Sequence, residues 1–413
     1  MTPLRAAIAA IRNWFGAASD VYTRYMLEHH LRFLAVTFAA ILAVVTAINV
    51  SGEISRVWSE AAMSGIFHAL AATALYVLCR LLDNGSQVFG IAFLLGLVWA
   101  EAAHAHGGRL LMVRLAGRPF LRRSTALFLL AALSVPTQFT LDNVVRPWAF
   151  MTLSLKGLGE YGWSYTAARS PVQGWYAFDN AVLRATLHDS PEPVIERALL
   201  FYFDDRGGLA SVATADRIVA PDQDRDRWTM LGAHHWRIGD PIDRRFGMPI
   251  GEPGKGTSEL GFAISRVWLQ YRGIEPKYIP LTDLWRLTFD PHLPSERPKY
   301  GAWLAIRLTQ CFIPGLVALC VGATFAMMLD RRGLMQATGV GLLAAYSGYF
   351  LNRISALGVE NLHLPPAVTA LVLPVTLAIL VWRLIVRLRR YEDPTPSQRP
   401  QASWSQNPGI SGA

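Results

Sequence analysis

The sequence predicts an α-helical membrane protein with six transmembrane helices and a periplasmic antiparallel β-jellyroll-like domain inserted between the third and the fourth. Three observations predict this fold class. Of the 413 residues, 52% are hydrophobic and only 17% are charged, whereas charged residues make up about a quarter of a typical soluble chain. Long uncharged apolar runs occur in both halves of the sequence. A polar stretch of short alternating segments lies between them. This composition excludes a disordered chain, a disulfide-stabilised secreted module and an ordinary cytosolic enzyme.

Five apolar runs are long enough to cross a membrane as one helix, which requires about 20 mostly apolar residues. These runs are Phe33–Val50, Ser124–Leu141, Leu308–Leu329, Gly333–Asn352 and Asn361–Trp382. The remaining span, second in chain order, falls within Ala61–Ala100. As one helix, this stretch would be about 60 Å long, which is too long for a single crossing. We therefore expect an approach segment over Ala61–Thr73, followed by one broken helix from about Ala74 to Ala105.

The distribution of arginine predicts that both termini lie in the cytoplasm. The net charge is +9, and six spans place most of the flanking arginines on one side, as the positive-inside rule requires. These arginines are Arg5, Arg12, Arg24, Arg32, Arg109, Arg114, Arg118, Arg122, Arg123, Arg331, Arg332, Arg383, Arg387, Arg389 and Arg390. A seventh span would move the five-arginine loop outside. Before the first span, apolar residues at helical spacing (Leu4, Ile8, Ile11, Phe15) predict a helix on the cytoplasmic surface.

The chain is predicted to have four parts. Residues 1–146 form spans one to three with the N-terminal surface helix and a cytoplasmic coupling segment. Residues 147–294 form the β domain, residues 295–390 form spans four to six, and residues 391–413 form a disordered tail rich in Pro, Ser and Gln. The strand-like runs of the β domain are Trp175–Phe178, Ala198–Phe203, Leu209–Ala215, Trp228–Leu231, His235–Ile238 and Ser265–Tyr271, with a turn at Asp204–Gly208.

The sequence contains short segments that resemble nucleotide-binding or metal-binding motifs, but each lacks residues or the structural context that the motif requires. Pro249–Gly256 contains a Gly-Lys pair, but it lacks the first Gly and the final Ser or Thr of a phosphate-binding loop. Gly339–Ala344 matches a dinucleotide fingerprint only within a spanning run, where small residues allow close helix packing. Asp222–Asp226 imitates a calcium loop, but Arg227 replaces the required Gly. His104 and His106 have no third ligand nearby in sequence. We expect no cofactor and no catalytic site. The three cysteines lie in apolar runs: Cys79, Cys311 and Cys320.

Ionisable residues at membrane depth are better candidates for function, because such groups are costly there and face a cavity or a partner. They are Arg80, Asp83, Glu101 and Arg307. Arg80 and Asp83, three residues apart, either pair with each other or face a polar cavity. Arg307 either reaches the outer interface or lines such a cavity.

Several short segments, in this order, are similar to those of a known family. Arg24-Tyr25 opens span one. Phe93–Gly96 lies in span two, and Leu110–Gly117 follows it. The remaining segments are Leu200–Asp204, Ala213–Ala215, Trp228–Leu231, Arg307 with Pro314, Leu357-Gly358 and Leu364–Pro366. Together they resemble the LptF/LptG permeases of the lipopolysaccharide export ABC transporter, from about Arg24 to Arg390.

The chain also departs from the family pattern. Leu82 and Gly90 stand where the family often has prolines in span two. Asn49 replaces a lysine near the end of span one. Arg109 replaces the acidic residue that opens the coupling segment. These departures indicate a divergent member of the family.

The resemblance implies a permease subunit in a bacterial inner membrane that extracts lipopolysaccharide and passes it to a periplasmic bridge. The implied partners are a cytoplasmic ABC ATPase dimer that binds the ATP, a homologous second permease, and bridge proteins of LptC/LptA type. Candidate lipid-binding residues are Arg56, Arg307 and Arg353, because arginine suits anionic phosphates. Candidate ATPase-coupling residues are Arg109, Val113, Arg114 and Gly117.

Two other functions remain open at this point. One is an ATPase-coupled sensor or mechanical coupler that moves its outer domain without transporting lipid. The other is an ion-coupled carrier with Asp83 or Glu101 as the proton site. The absence of further acidic residues at membrane depth makes the carrier the weakest alternative.

Overall fold

The protein is described by a computed structural model. The described residues are 20–116, 120–169, 172–328 with gaps (179, 189–193, 220–227, 238–241, 244–247, 250–257, 261–263, 291–292 and 294–296), scattered residues between 335 and 354, and 366–392. The predicted N-terminal surface helix and the tail beyond Glu392 lie outside these residues.

Two long antiparallel helices begin the fold. Helix α1 spans Val21–Ser51, the short α2 spans Ile54–Ala62, and α3 spans Ile66–His106. Gly65 precedes α3 with a φ of 115°, a conformation that glycine adopts far more readily than other residues. The expected approach segment and broken helix are wrong. Helix α3 is continuous from Ile66, because no proline interrupts it and its backbone hydrogen bonds can continue.

Two short helices, α4 (Arg109–Leu115) and α5 (Phe120–Arg123), lead to the third long helix, α6 (Thr125–Leu155). A π-helical turn at Leu141–Val145 lies within α6. Helix α6 therefore extends beyond the predicted end of the third span at Leu141, and the predicted domain boundary near Pro147 falls inside it. Helix α7 (Gly159–Arg169) follows, and the first strand begins only at Val172.

The sheet is antiparallel. Its strands run in the order β1-β2-β3-β4-β5-β9, and β6 also pairs with β4. A separate pair joins β7 to β8. The bounds are β1 Val172–Ala177, β2 Ala181–His188, β3 Val194–Phe203, β4 Leu209–Val219, β5 Thr229–Leu231, β6 His234–Arg237, β7 Ile242–Asp243, β8 Met248–Pro249 and β9 Ser258–Glu259. The antiparallel sheet agrees with the prediction, whereas the jellyroll stays a prediction.

The turn predicted at Asp204–Gly208 is present between β3 and β4. The amide of Gly208 donates to the Asp204 side chain over 2.7 Å. By contrast, Ser265–Tyr271 is not a strand. Helix α8 (Arg266–Tyr271) occupies it, and the hydroxyl of Ser265 accepts from the amide of Trp268. Serine at this position is a helix start signal, which the apolar alternation obscured.

A 3-10 turn at Pro276–Tyr278 and four helices complete the described fold. They are α9 (Leu281–Phe289), α10 (Arg297–Gln310), α11 (Ile313–Met328) and α12 (Pro366–Glu392). The fourth predicted span, Leu308–Leu329, is bent by about 40° between α10 and α11. Pro314 lacks the amide hydrogen that would continue the helical ladder. The fifth predicted span lies mostly outside the described residues, and α12 overlaps the sixth.

Among the described residues, α1, α3 and α6 are long and apolar enough to cross a membrane, and the bent pair makes a fourth if it is one span. The count of six stays a prediction. One hydrophobic core joins one face of the sheet to α8, α9 and α10. From the sheet it includes Leu183, Ile195, Leu200 and Ile218, and from the helices Trp268, Leu284, Leu287 and Trp303.

Candidate functional site: a polar layer between the long helices and the sheet

A buried group of polar side chains lies where α3, α6 and α10 meet the sheet domain. We call it the polar layer, and its members are Arg80, Asp83, Asp142, Asn143, Arg146, Tyr161, Tyr278 and Arg307. Most of these residues are far apart in sequence. They come together because α3 and α6 pack side by side and because α7 and the 3-10 turn fold back onto them. Such groups are costly away from water unless they are paired.

Asp83 is the centre of this layer, and its residue is fully buried. One carboxylate oxygen lies 3.0 Å from Nε of Arg146 on α6. The other accepts from the Tyr161 hydroxyl over 2.5 Å and from Gln87 over 3.2 Å. Asp83 therefore pairs with Arg146 of another helix. Pairing with Arg80 is one of the two possibilities that the sequence suggests.

Tyr161 connects this carboxylate to the sheet domain. Its hydroxyl lies 3.0 Å from that of Tyr278, and the Tyr278 ring stacks on Phe150 with centroids 4.2 Å apart. Burial raises the pKa of Tyr161, and the nearby Asp83 raises it further. The phenol therefore stays protonated and remains a hydrogen-bond donor.

Asp142 and Asn143 lie on the π-helical turn of α6. Asp142 accepts from the Ser86 hydroxyl over 2.5 Å and from Gln138 over 2.6 Å. The π turn carries one extra residue in its hydrogen-bonded ring, and such turns occur frequently at functional sites. Here it brings two successive polar side chains into the buried layer.

Arg307 on α10 is 3% exposed. Its Nε donates to Oδ1 of Asn143 and its Nη2 to the backbone carbonyl of Asp142, each over 3.0 Å. Its Nη1 donates to the carbonyls of Pro276, over 3.3 Å, and Ile279. Arg307 thus joins α10 to α6 and to the turn that carries Tyr278.

Arg80 lies beside a polar cavity of about 330 Å³. Its guanidinium lies 4.5 Å from the centre of the Tyr161 ring and 3.9 Å from Glu160. Residues of α1, α3, α7 and the turn before α9 line this cavity, among them Asn49, Asn84, Glu160, Lys277 and Tyr278. The cavity is wide enough for a small polar group.

Two of the three arginines predicted to bind lipid lie within the described residues, and their surroundings differ. Arg56 is exposed on α2 and pairs with Glu60 over 3.0 Å, whereas Arg307 is buried with acceptors from its own chain. Arg353 lies outside the described residues. Lipid contact at these three positions stays a prediction.

The coupling segment lies at the opposite end of α3. Arg109 on α4 donates to the hydroxyl of Tyr25 on α1, and its guanidinium lies 5.6 Å from the centre of that ring. Nearby, Glu101 lies 3.0 Å from Nε2 of the buried His30. Two contacts thus attach the C-terminal end of α3 and the start of α4 to α1.

Two of the other coupling candidates, Val113 and Arg114, lie on α4. Val113 is half-buried, and Gly117 lies outside the described residues. Their contact with an ATPase stays a prediction.

Three of the eight residues of the polar layer, Arg80, Asp83 and Arg307, are predicted from the sequence, and the other five are not. Asp142 and Arg146 follow the apolar run Ser124–Leu141 directly, and their spacing of four puts both on one helical face. The apolar run alone predicts that the span ends at Leu141, whereas this spacing indicates that the helix continues. Tyr161 and Tyr278 gave no sequence signal, because only the tertiary fold brings them to Asp83.

Comparison with known proteins adds independent information. The chain matches a family model described as lipopolysaccharide export system permease LptF/LptG, over residues 28–387. No curated protein sequence matches it. The matched range includes most of α1, all of α3 and α6, the sheet and the whole polar layer.

Proposed function

The chain belongs to the LptF/LptG family of lipopolysaccharide export permeases, and from this premise we propose that it is the membrane subunit of an ABC transporter. In this proposal it extracts lipopolysaccharide from the inner membrane and passes it to a periplasmic bridge. The family is a transporter component and not an enzyme. ATP is bound by a separate cytoplasmic ATPase dimer.

One observation carries this proposal: the sheet has apolar side chains on both faces. Opposite the core, Phe201 is the cross-strand partner of Val182 and of Val212, and Val212 is the partner of Trp236. All four residues are half-buried. The ring of Trp175 stacks on Phe201 with centroids 5.9 Å apart. An antiparallel sheet that faces water on one side usually has polar residues on that side.

This second apolar face suits acyl chains that have left the bilayer. Each buried methylene group gains about 0.8 kcal/mol by leaving water, so a lipid with several chains cannot cross the periplasm uncovered. The row from Val182 to Trp236 runs across four strands and offers a continuous apolar surface. A sensor that transports no lipid has no need for such a row.

The arginine distribution supports an orientation with the sheet in the periplasm and the coupling segment in the cytoplasm. There, Val113 and Arg114 of α4 would contact the ATPase, together with Gly117 further along the chain. Helix α1 leaves room for a homologous second permease: only 17% of its most apolar stretch is buried, against 50% for α3 and 44% for α6.

Photo-crosslinking from the sheet tests this function. A photoreactive amino acid at Val212 should give a lipopolysaccharide adduct that depends on ATP hydrolysis. The matched position Arg206, exposed in the turn between β3 and β4, should give none. If Val212 gives no adduct while the membrane-facing Leu133 does, the lipid does not reach the sheet. That result would favour a mechanical coupler.

A further inference from the structure

Helix α9 presents two large aromatic side chains to its surroundings. Trp285 and Phe289 are 53% and 58% exposed, and their ring centroids lie 4.9 Å apart. The opposite side of the same helix carries Leu284 and Leu287, which are fully buried in the core. The core therefore fixes the orientation of α9, and an aromatic face of two adjacent rings points away from it.

The contact between α9 and α10 gives the distance of α9 from the polar layer, measured along the axis of α10. A Cβ placed on Gly301 would lie 3.4 Å from the methyl of Thr288, so α9 crosses α10 at this residue. From Gly301 to Arg307, which belongs to the polar layer, α10 rises about 9 Å at 1.5 Å per residue. Helix α9 therefore lies about 9 Å from the polar layer, on the side of the sheet.

A second tryptophan lies at the same height on α6. Arg307 donates to the carbonyl of Asp142, which puts these two residues at one level. Trp148 is six residues beyond Asp142, again about 9 Å along a helix, and it is 52% exposed. A third, Trp163, is 64% exposed on α7, two residues after Tyr161 of the polar layer.

The polar layer lies at the end of two apolar runs, that of α6 and that of the fourth predicted span. The uncharged run of α6 ends at Leu141, and that of the fourth predicted span begins at Leu308, so each adjoins a member of the layer. The hydrocarbon core of a bilayer is about 30 Å thick, and the head groups bring the total to about 40–45 Å. The next 5–8 Å beyond the apolar runs is therefore head-group layer, within reach of an indole on α9.

We propose that α9 rests on the head-group layer of the bilayer and that Trp285 and Phe289 anchor the sheet domain there, with Trp148 at the same level and Trp163 closer to the polar layer. Tryptophan is enriched at this level of membrane proteins because its ring is apolar and its N–H is polar. Arg286, next in sequence, is 70% exposed and pairs with Asp283 over 3.3 Å, and its exposed guanidinium can also contact lipid phosphates. The chain continues from α9 through α10 into the bent span, so the surface of the same bilayer lies next to this face.

The consequence is a fixed height for the sheet. The core that holds Leu284 and Leu287 also contains Leu183 and Ile195 of the sheet. An anchored α9 thus holds the sheet domain against the membrane without needing a partner protein. This inference does not depend on which molecule the chain transports.

A depth measurement with a fluorescent probe tests the anchor. Trp285→Cys is labelled with a nitrobenzoxadiazole dye in nanodiscs of phosphatidylethanolamine and phosphatidylglycerol. The nitroxide quencher is carried either on the head group or at carbon 12 of the acyl chain. The wild-type chain, whose Cys79, Cys311 and Cys320 are buried, supplies the labelling background.

We expect the head-group quencher to reduce the fluorescence at position 285 at least twofold more than the carbon-12 quencher. Two controls set the scale: Leu133→Cys on the apolar part of α6 should show the reverse order, and Arg206→Cys in the distant turn should show no quenching. If quenching at position 285 is no stronger than at position 206, the proposal is wrong. The face formed by Trp285 and Phe289 would then contact water or another protein instead of the bilayer.

Discussion

Arg146 lies 3.0 Å from Asp83 and joins the third long helix to the second through a carboxylate with no exposed surface. Tyr161 donates to the same carboxylate over 2.5 Å and also contacts Tyr278. One acidic side chain therefore connects two membrane helices with α7 and with the turn that leads to the sheet core. This contact therefore ties the relative position of the two helices to the position of the turn that leads to the sheet core.

The first prediction concerns that carboxylate. Asp83→Asn should lower the free energy of unfolding by about 3–5 kcal/mol, because it leaves the Arg146 guanidinium buried without its counter-charge. The thermal or denaturant midpoint of the detergent-purified protein measures this. The double variant Asp83→Asn with Arg146→Gln should recover part of the loss.

The exposed pair Arg56–Glu60 supplies the matched control. Glu60→Gln removes an acid of the same kind from an ion pair with the same 3.0 Å separation, but solvent surrounds both groups. We expect no measurable change in midpoint. Equal losses for Asp83→Asn and Glu60→Gln would mean that burial of the Asp83 pair does not govern its strength.

The second prediction distinguishes two roles of Arg307. Arg307→Lys keeps the positive charge but loses the planar fork that reaches Asn143, Asp142 and the 276–279 turn together. If Arg307 positions this turn, the lysine variant should lose stability by about 2–3 kcal/mol, the value of one or two hydrogen bonds to a charged group. If it acts mainly as a charge for lipid phosphate, Arg307→Lys should keep lipid crosslinking and stability near wild type, and only Arg307→Ala should lose crosslinking. We expect the first outcome.

The sequence predicts the long helices well and their interruptions poorly. The apolar runs identify α1, α3 and α6, because a membrane requires about 20 apolar residues whatever the tertiary fold. The continuation of α6 beyond Leu141 was missed, because Asp142 and Arg146 are polar and read locally as a loop. They remain helical because Ser86, Gln138 and Asp83 satisfy them, and no local pattern contains these contacts.

The same distinction applies to the candidate site. Arg80, Asp83 and Arg307 were identified because charge at membrane depth is conspicuous in a sequence. Their partners were not predicted. The ion pair of Asp83 depends on how α3 packs against α6, and the acceptors of Arg307 are mostly backbone carbonyls, which every residue has.

The third prediction concerns the packing of α1 on α3. A Cβ on Gly96 would lie 2.9 Å from the Cα of Leu34, so Gly96→Ala forces the two helices apart. Such overpacking costs about 1–3 kcal/mol, and the thermal midpoint should fall accordingly. Gly90→Ala on the same helix is the control, since its Cβ would lie 3.8 Å from Pro314 in ordinary contact. Equal midpoints for the two variants would contradict the close approach of α1.

The fourth prediction concerns the coupling segment. Arg109→Glu should weaken co-purification of the ATPase, because it reverses the charge at the start of α4 and removes the contact with Tyr25. If an acidic residue of the ATPase faces Arg109, the loss should shrink at high salt, which screens exposed charges. If Arg109 acts only by holding α4 against α1, Tyr25→Leu should reproduce the loss at every salt concentration. If co-purification is unchanged in both variants, Arg109 has no role in coupling. If co-purification is lost in Gly117→Trp, the segment still docks on the ATPase.

The most direct test of lipid export uses liposomes that contain the chain, its second permease and the ATPase that co-purifies with them. Lipopolysaccharide is included in the membrane, and a soluble periplasmic bridge protein carries a photoreactive group. We predict that lipopolysaccharide adducts form on the bridge protein only with ATP. If a photoreactive residue at position 212 of the chain has first been crosslinked to lipopolysaccharide, adduct formation on the bridge protein should fall at least tenfold. Normal ATP hydrolysis without any transfer of lipopolysaccharide to the bridge would contradict a permease and leave a mechanical coupler.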